Sequence, residues 1–162
     1  MKDIYPDLPT IPATFLVPAN RQPDYEEAEG PAVGDDANVG VYLSDRQVAL
    51  GRGDAPAAID AESGSILTFA AFAERSTALA RGLLALGLRP GERVAYRSPN
   101  VGEVFVVMAG IWKAGGIVAP VPTQATGKDI RFYLDDTGAR FFLAHARSGD
   151  MGEMAAVARE TA

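Results

Sequence analysis

The sequence has no cysteine, a single histidine and no long uninterrupted apolar run, and each absence excludes a class of protein. Without cysteine, disulfides and cysteine-ligated metal sites are excluded, which fits a reducing cytoplasm. The first residues lack the apolar core of a secretory signal. The longest apolar stretch, within residues 101–119, is interrupted by Glu103, Lys113 and glycines, so it predicts a buried helix and strand rather than a membrane span. We therefore expect a cytoplasmic protein with no membrane partner.

Positive charge is also scarce in the first part of the chain. Residues 1–64 carry four Lys or Arg against twelve Asp or Glu, while the whole chain has a formal net charge of -6. Binding to nucleic-acid phosphates requires clustered Lys and Arg. The charge pattern therefore argues against a nucleic-acid partner, and the acidic residues are best explained by solubility.

The 162 residues, 48% of them hydrophobic, suffice for one domain with a real core, or for one piece of a larger domain. Residues 1–37 are rich in proline and acids and show no sustained period, so we expect an irregular arm there. Residues 38–162 then form one α/β subdomain. No internal repeat is present.

The segment Leu67–Pro122 alternates helical and β-branched patterns and organises the rest of the chain. Such alternation predicts a parallel sheet layered with helices, with right-handed crossovers. A short β-hairpin precedes it. The predicted helices are Val39–Leu50 capped by Asn38, Thr68 to about Leu86, Asn100 to about Ala114, Thr126 to about Asp136, and Met151–Thr161. The predicted strands are the hairpin pair Ala57–Asp60 and Ser65–Leu67, followed by Arg93–Arg97, Ile117–Val121 and Arg140–Ala144.

Helical periodicity predicts which side of each helix is buried. In the first helix the buried side should include Val39, Tyr42 and Leu43, and Trp112 should lie in the core. Asp135 and Asp136 should form a solvated helix end near Arg140. The expected buried side of the helix beginning at Thr68 consists of Phe69, Phe72, Ser76, Leu79, Ala80, Leu83 and Leu86.

Three local patterns resemble chemical motifs without meeting their requirements. Gly51-Arg52-Gly53 follows a helix, so a turn is favoured over a dinucleotide fingerprint. Gly127-Lys128 lacks the Ser or Thr of a P-loop and is interpreted as a helix start. His145 follows a strand at the carboxyl edge of the sheet, where ligands often bind, although a loop residue is the simpler interpretation. No complete catalytic signature is present.

Several segments in fixed order carry a family resemblance. Together they resemble the N-terminal portion of the AMP-forming acyl-CoA synthetases, within the adenylate-forming enzymes. The lead-in, from Asn38-Val39 through Asp45-Arg46 and Gly51–Asp54 to Pro56-Ala57, looks most like the benzoate- and aminobenzoate-CoA ligase branch. The matching segments are Leu67-Thr68-Phe69, Leu79–Leu83, Gly87–Ala95, Ser98-Pro99-Asn100, Trp112–Gly116, Pro120-Val121, Tyr133-Leu134 and Thr137–Arg140.

The resemblance implies a ligase that uses ATP, Mg²⁺ and CoA to activate a carboxylic acid, aromatic or of medium chain length. In the family, the phosphate loop, the adenine- and ribose-binding motifs and the domain with the catalytic lysine all follow this region. None of them occurs in the sequence. We therefore assign no catalytic residue, and we expect the chain alone to be inactive and to bind none of these cofactors by itself.

The resemblance also implies one weak binding position. Some relatives carry an Asn-Pro-Arg segment that helps to hold a CoA phosphate, and here Pro122-Thr123-Gln124 occupies that place. Gln124 thus replaces the arginine, and Lys128 or Arg131 could substitute for it. A solvated helix N-terminus is the alternative. Two further interpretations stay open for the whole chain: a stand-alone α/β module that binds a nucleotide or CoA, and a structural protein that self-associates through exposed apolar faces.

Overall fold

The computed structural model describes residues 37–149 and 151–160. The predicted arm therefore lies outside the described residues apart from Ala37, and so does Thr161. The elements in chain order are α1 Val39–Leu43, α2 Asp45–Ala49, β1 Pro56–Ile59, β2 Ile66–Thr68, α3 Phe69–Ala85, β3 Arg93–Arg97, α4 Glu103–Lys113, β4 Ile117–Pro120, α5 Gly127–Thr137, β5 Phe141–Ala144 and α6 Met151–Glu160.

The strands form two sheets within the described ranges. A three-stranded sheet has the order β4-β3-β5, and both pairings are parallel. Strands β1 and β2 pair antiparallel, with Ile59 opposite Ile66. The predicted α/β class, with its parallel sheet, covering helices and short hairpin, is confirmed.

Adjacent residues of the central strand β3 face opposite sides of the sheet, as the pleat requires. Val94 packs with Leu83 of α3 and Ile111 of α4. Its neighbour Ala95 packs with residues of α5 and α6, among them Ile130. The sheet is therefore covered by α3 and α4 on one face and by α5 and α6 on the other.

The contact between α3 and α4 depends on small side chains. A Cβ added to Gly110 would lie 2.8 Å from Leu79 Cδ2, so only glycine allows this approach. On the buried side of α3, the Ser76 hydroxyl donates to the Phe72 carbonyl at 2.6 Å, which satisfies the one polar group there. Leu83 is 2% exposed.

The predicted starts of α3 and α5 are confirmed. Thr68 Oγ1 accepts a hydrogen bond from Ala71 N at 3.2 Å. At α5, Thr126 and Asp129 form a complete capping box, and Gly138 ends the helix with a φ of 60°. Side chains that satisfy free helix-end amides therefore fix both boundaries.

The prediction for the first helix was wrong in extent and in face. Two short helices occupy the region, separated at Ser44. Val39 and Leu43 are exposed, and Gly40 and Ser44 are buried instead. The reason is a close backbone approach: a Cβ on Gly40 would lie 2.4 Å from the Ala109 carbonyl oxygen of α4. The Asn38 cap is confirmed by a 3.2 Å bond from Val41 N.

Three other local expectations also need correction. Helix α4 begins at Glu103 instead of Asn100, because the Glu103 carboxylate pairs with Arg75 Nη2 at 3.1 Å and does not return to Asn100. Leu86 lies past the end of α3 and is 72% exposed. Trp112 is only half-buried.

Candidate functional site

A cavity of about 510 Å³ lies where β3 and β4 end. Open parallel sheets commonly bind ligands outside the carboxyl ends of their strands. Tyr96 belongs to β3 and lines the cavity. Burial raises the pKa of its phenol. The lining residues are Tyr96, Ser98, Pro99, Asn100, Pro120, Val121, Pro122, Thr123 and Gln124.

One wall of the cavity is the loop of residues 122–124, which connects β4 to α5. The strand pairing anchors its start, because Val121 N donates to the Tyr96 carbonyl at 2.8 Å. Within the loop, Ala125 N donates to the Pro122 carbonyl at 3.1 Å. The capping box of α5 follows directly. There the backbone N–H of Thr126 lowers the pKa of the Asp129 carboxyl.

The three residues predicted to lie near a CoA phosphate occupy different places. Gln124 is exposed and lines the cavity. Lys128 is exposed in the first turn of α5, and Arg131 is half-buried one turn later. The cavity lining includes Gln124 but neither of the two cations. The predicted role of all three stays a prediction.

Sequence reasoning missed Arg97, the last residue of β3. It is 9% exposed, and its guanidinium Nη2 donates to the Thr123 carbonyl in the cavity loop. Its own carbonyl accepts from His145 N at 2.9 Å and from the Ser148 hydroxyl at 3.2 Å. Strand alternation was the available signal, because it places position 97 on the buried face of Ala95.

A second cavity of about 170 Å³ lies beside β3 and β5 and is lined by Tyr96, Glu103 and His145, among others. His145 Nδ1 accepts a hydrogen bond from Arg147 N at 3.1 Å and caps the short 3₁₀ turn Ala146–Ser148. These contacts agree with the loop interpretation of His145. The pKa of Glu103 is lowered by its own backbone N–H and by Arg75.

Three further predictions can be compared with the structure. Gly127 and Lys128 open α5, so the interpretation as a helix start is confirmed. Asp135 and Asp136 are exposed, as expected for a solvated helix end, and the ion pair of Arg140 is with Glu92, Nη1 to Oε1 at 2.6 Å. In the part of the chain that the structure describes, no helix combines the length and apolarity needed to cross a bilayer.

The resemblance implies Mg²⁺ for the whole reaction. In residues 37–149 and 151–160, no group of three or more His, Asp or Glu side chains is arranged to hold a metal ion. Mg²⁺ is usually held by one or two carboxylates together with substrate phosphates, so no reaction step is assigned to a metal here.

A family model described as AMP-binding enzyme matches residues 45–161, which is most of the chain. The chain belongs to this family. The match begins at α2 and takes in both sheets and the cavity loop. Membership of the AMP-binding enzymes confirms the predicted resemblance to adenylate-forming enzymes.

Curated relatives include ligases for different acids. A long-chain-fatty-acid–CoA ligase of Salmonella typhimurium is 39% identical over 87 residues, covering 53% of this chain and 15% of the relative. A feruloyl-CoA synthase of an Amycolatopsis species is 36% identical over 80 residues, covering 49% and 16%. The match thus spans about one sixth of the length of these relatives. Their two substrate classes do not single out the benzoate branch.

The solved structures agree with this placement. The N-terminal domain of FACL13 from Mycobacterium tuberculosis superposes with a TM-score of 0.63 at 28% identity, covering 74% of this chain and 29% of that domain. The fold of this chain is therefore that of part of the N-terminal domain of an adenylate-forming enzyme.

Proposed function

We propose that this chain is the N-terminal α/β portion of an ATP-dependent, AMP-forming acid–CoA ligase. The family match over residues 45–161 carries the proposal. The relatives support it, since both a fatty-acid and an aromatic-acid CoA ligase are similar to the same region. The proposed substrate is an aromatic or medium-chain carboxylic acid, and the proposed compartment is the cytoplasm.

The proposed reaction has two steps. The carboxylate oxygen attacks the α-phosphorus of ATP, forming acyl-AMP and releasing pyrophosphate. The CoA thiol then attacks the acyl carbon, loses its proton and displaces AMP, which leaves acyl-CoA. ATP, Mg²⁺ and CoA are cofactors of this whole reaction, whereas the described residues contribute the sheet, its covering helices and the cavity at the carboxyl edge.

The chain alone should not catalyse adenylation. Phosphoryl and nucleotidyl transfer require oriented cations and backbone donors at the reacting phosphate. The candidate cations after the strand ends are Lys128, Arg131 and Arg147, and none lies in a glycine-rich loop. Loss of one such donor typically costs about 10²–10³ in rate, and here the whole set of family motifs is absent from the sequence.

Pyrophosphate release tests this proposal. We expect background release when the purified chain is assayed with ATP and benzoate, 2-aminobenzoate or medium-chain acids. The longest natural reading frame that contains the chain should release pyrophosphate and, with CoA, AMP. Turnover by the short chain that survives repurification and is lost in Lys128→Ala would contradict the fragment proposal.

Within this ligase, Gln124, Lys128 and Arg131 are the proposed neighbours of a CoA phosphate. Gln124 lines the cavity, and the two cations follow on the first turns of α5. A glutamine offers hydrogen bonds without charge, so the contact at Gln124 should be weaker than that of an arginine.

A second function, a stand-alone binding module, has one observation in its favour. The 510 Å³ cavity lies at the carboxyl ends of β3 and β4, where open parallel sheets commonly bind ligands. Calorimetric titration of the chain with ATP, CoA and benzoate separates the two functions, because a module should bind one of them with micromolar affinity.

Exposed apolar side chains such as Phe105 and Phe132, at 53% and 63% exposure, favour the proposal of self-association, which sedimentation tests.

A further inference from the structure

Arg97 is a buried cation without a carboxylate partner in the described structure. Its residue is 9% exposed, and among the described residues no ion pair includes it. Its Nε is buried and has no hydrogen-bond partner among residues 37–149 and 151–160. Removing a charge from water is costly unless it is paired and fully hydrogen-bonded. The side chain therefore sits in its position at an energetic cost that its visible contacts do not offset.

The contact that Arg97 does make is with the cavity loop. Its Nη2 donates to the carbonyl of Thr123. Thr123 and its neighbour Gln124 both line the 510 Å³ cavity, while Arg97 itself does not. The guanidinium thus lies behind the wall of the cavity and acts on it through a single backbone group.

We propose that Arg97 is a positioning residue that fixes the loop of residues 122–124, and that its uncompensated charge makes the cavity favour ligands with an anionic group. The inference rests on the proposed function in taking this cavity as a ligand site. A buried charge is screened far less than a surface charge, so its potential extends through the thin loop. The favoured group is a phosphate or a carboxylate.

Two features separate this role from simple packing. An apolar side chain would fill the space behind the loop without the cost of burying a charge. The backbone of Arg97 also holds the loop after β5, through bonds from His145 N and from the Ser148 hydroxyl to its carbonyl. These backbone bonds survive any substitution, so variants at this position change the guanidinium alone.

The experiment uses the longest natural protein that contains the chain, as the wild type and as four variants. Arg97→Lys keeps the charge, Arg97→Gln keeps a donor without charge, and Arg97→Met removes both. Arg93→Gln is the matched control, since Arg93 is exposed at the other end of the same strand. Each protein is titrated calorimetrically with CoA, dephospho-CoA, pantetheine and benzoate, at two salt concentrations.

We expect Arg97→Gln to weaken binding of the anionic ligands by about ten-fold, because it removes a charge that attracts the anion from behind the cavity wall. Binding of neutral pantetheine should change less than about two-fold. Arg97→Lys should stay within about three-fold of the wild type, and Arg93→Gln should change nothing. A loss for CoA but not for dephospho-CoA identifies the 3′-phosphate as the anion, whereas a loss confined to benzoate identifies a carboxylate.

The loop is measured separately by backbone amide spectra of the ligand-free proteins. In Arg97→Met, the amide shifts of residues 123–125 should move and their hydrogen exchange should accelerate. In Arg93→Gln they should not. This readout needs no ligand, so it decides the positioning role even where titration shows no binding.

Several results would overturn the inference. If Arg97→Gln weakens the binding of CoA and of pantetheine equally, the role of Arg97 is structural only. Absence of any anion binding by the wild-type natural protein would refute the selectivity, and unchanged amides in Arg97→Met would refute the positioning. A longer natural protein that lacks ligase activity would contradict the proposed function while leaving the amide measurements on Arg97 intact.

Discussion

The two ends of the parallel sheet are built in opposite ways. At the amino end, backbone bonds close the connections: Gly91 N donates to the Gly115 carbonyl at 2.8 Å, and Ile117 N donates to the Glu92 carbonyl at 2.8 Å. At the carboxyl end, the strands lead into a 510 Å³ cavity, and a buried arginine holds one wall.

This contrast separates stability from recognition along one short sheet. The apolar cluster of Ala80, Leu83, Leu88, Val94, Ile111 and Ala114 includes residues that lead directly into the amino-end turns. The carboxyl end has polar, partly exposed groups and space for a ligand. We therefore expect substitutions near the amino end to change the free energy of unfolding, and substitutions near the cavity to change binding.

The largest effect should come from the apolar cluster beneath the amino end. Leu83→Ala should lower the free energy of unfolding by about 2–5 kcal/mol, because a 2% exposed leucine leaves a cavity. Urea denaturation measures it. The matched control is Leu84→Ala, which truncates the neighbouring side chain that is 49% exposed. Equal losses in the two variants would refute the assigned helix face.

The turn at the amino end should show the next largest effect. Gly115 has a φ of 78°, and an added Cβ would lie 3.3 Å from Pro90 Cβ. Gly115→Ala should cost about 2 kcal/mol, because a left-handed conformation strains any residue with a Cβ. Gly51→Ala provides the comparison: its φ is 77° with no atom within 4 Å. If the free energy of unfolding falls less in Gly115→Ala than in Gly51→Ala, the turn at Gly115 accommodates the added Cβ without strain.

Lowering the pH should reduce the free energy of unfolding, because the Glu92 carboxylate at the amino end of the sheet becomes protonated. The backbone N–H of Arg89, 2.8 Å away, and the Arg140 guanidinium lower the pKa of this carboxyl. Because the pKa of Glu92 is lower in the folded state, the ionised carboxylate stabilises the fold at pH values above the unfolded-state pKa of about 4.3. This contribution to the free energy of unfolding is lost as the pH falls through the folded-state pKa. Glu92→Gln should thus lower the urea midpoint at pH 7, and the two midpoints should converge once the pH has fallen below the folded pKa of Glu92. The exposed Glu74→Gln is the control, and an equal response there would refute the local origin.

The smallest stability effect is expected at the cavity. Gln124→Ala should change the free energy of unfolding by less than about 0.5 kcal/mol, because Gln124 is exposed. Its effect should appear as weaker CoA binding in calorimetric titration of the longest natural protein that contains the chain. The exposed Arg81→Ala on α3 controls for surface changes elsewhere. A large loss of stability in Gln124→Ala would break the separation between the two ends.

Local signals explain which parts of the fold could be predicted. Thr68, Thr126 and Gly138 act on their nearest backbone groups, so each helix boundary was readable from a few neighbouring residues. The parallel strands followed from short runs rich in apolar residues between helices. Such features depend on short stretches of sequence, and the structure confirms them.

The remaining features depend on partners far away in sequence. Gly40 is buried because the Ala109 carbonyl lies against it. Arg140 pairs with Glu92, which lies 48 positions earlier in the sequence. Periodicity could not detect either contact. At the candidate site, Gln124 was placed through the family resemblance, whereas Arg97 was missed because its burial requires three strand ends to converge.

The contacts of Lys113 indicate which part of the molecule should unfold first. Its ammonium, on a side chain that is 6% exposed, pairs with Asp45 and also donates to Thr77 Oγ1 at 3.0 Å, which joins α2 to α3 through α4. Helices α1 and α2 have five residues each, too few to persist alone in water. Their helical structure therefore exists only while they are docked, and they form a separate cooperative unit that detaches before the sheet does. In native-state hydrogen exchange, amides of residues 39–49 should exchange at a lower free energy than those of β3.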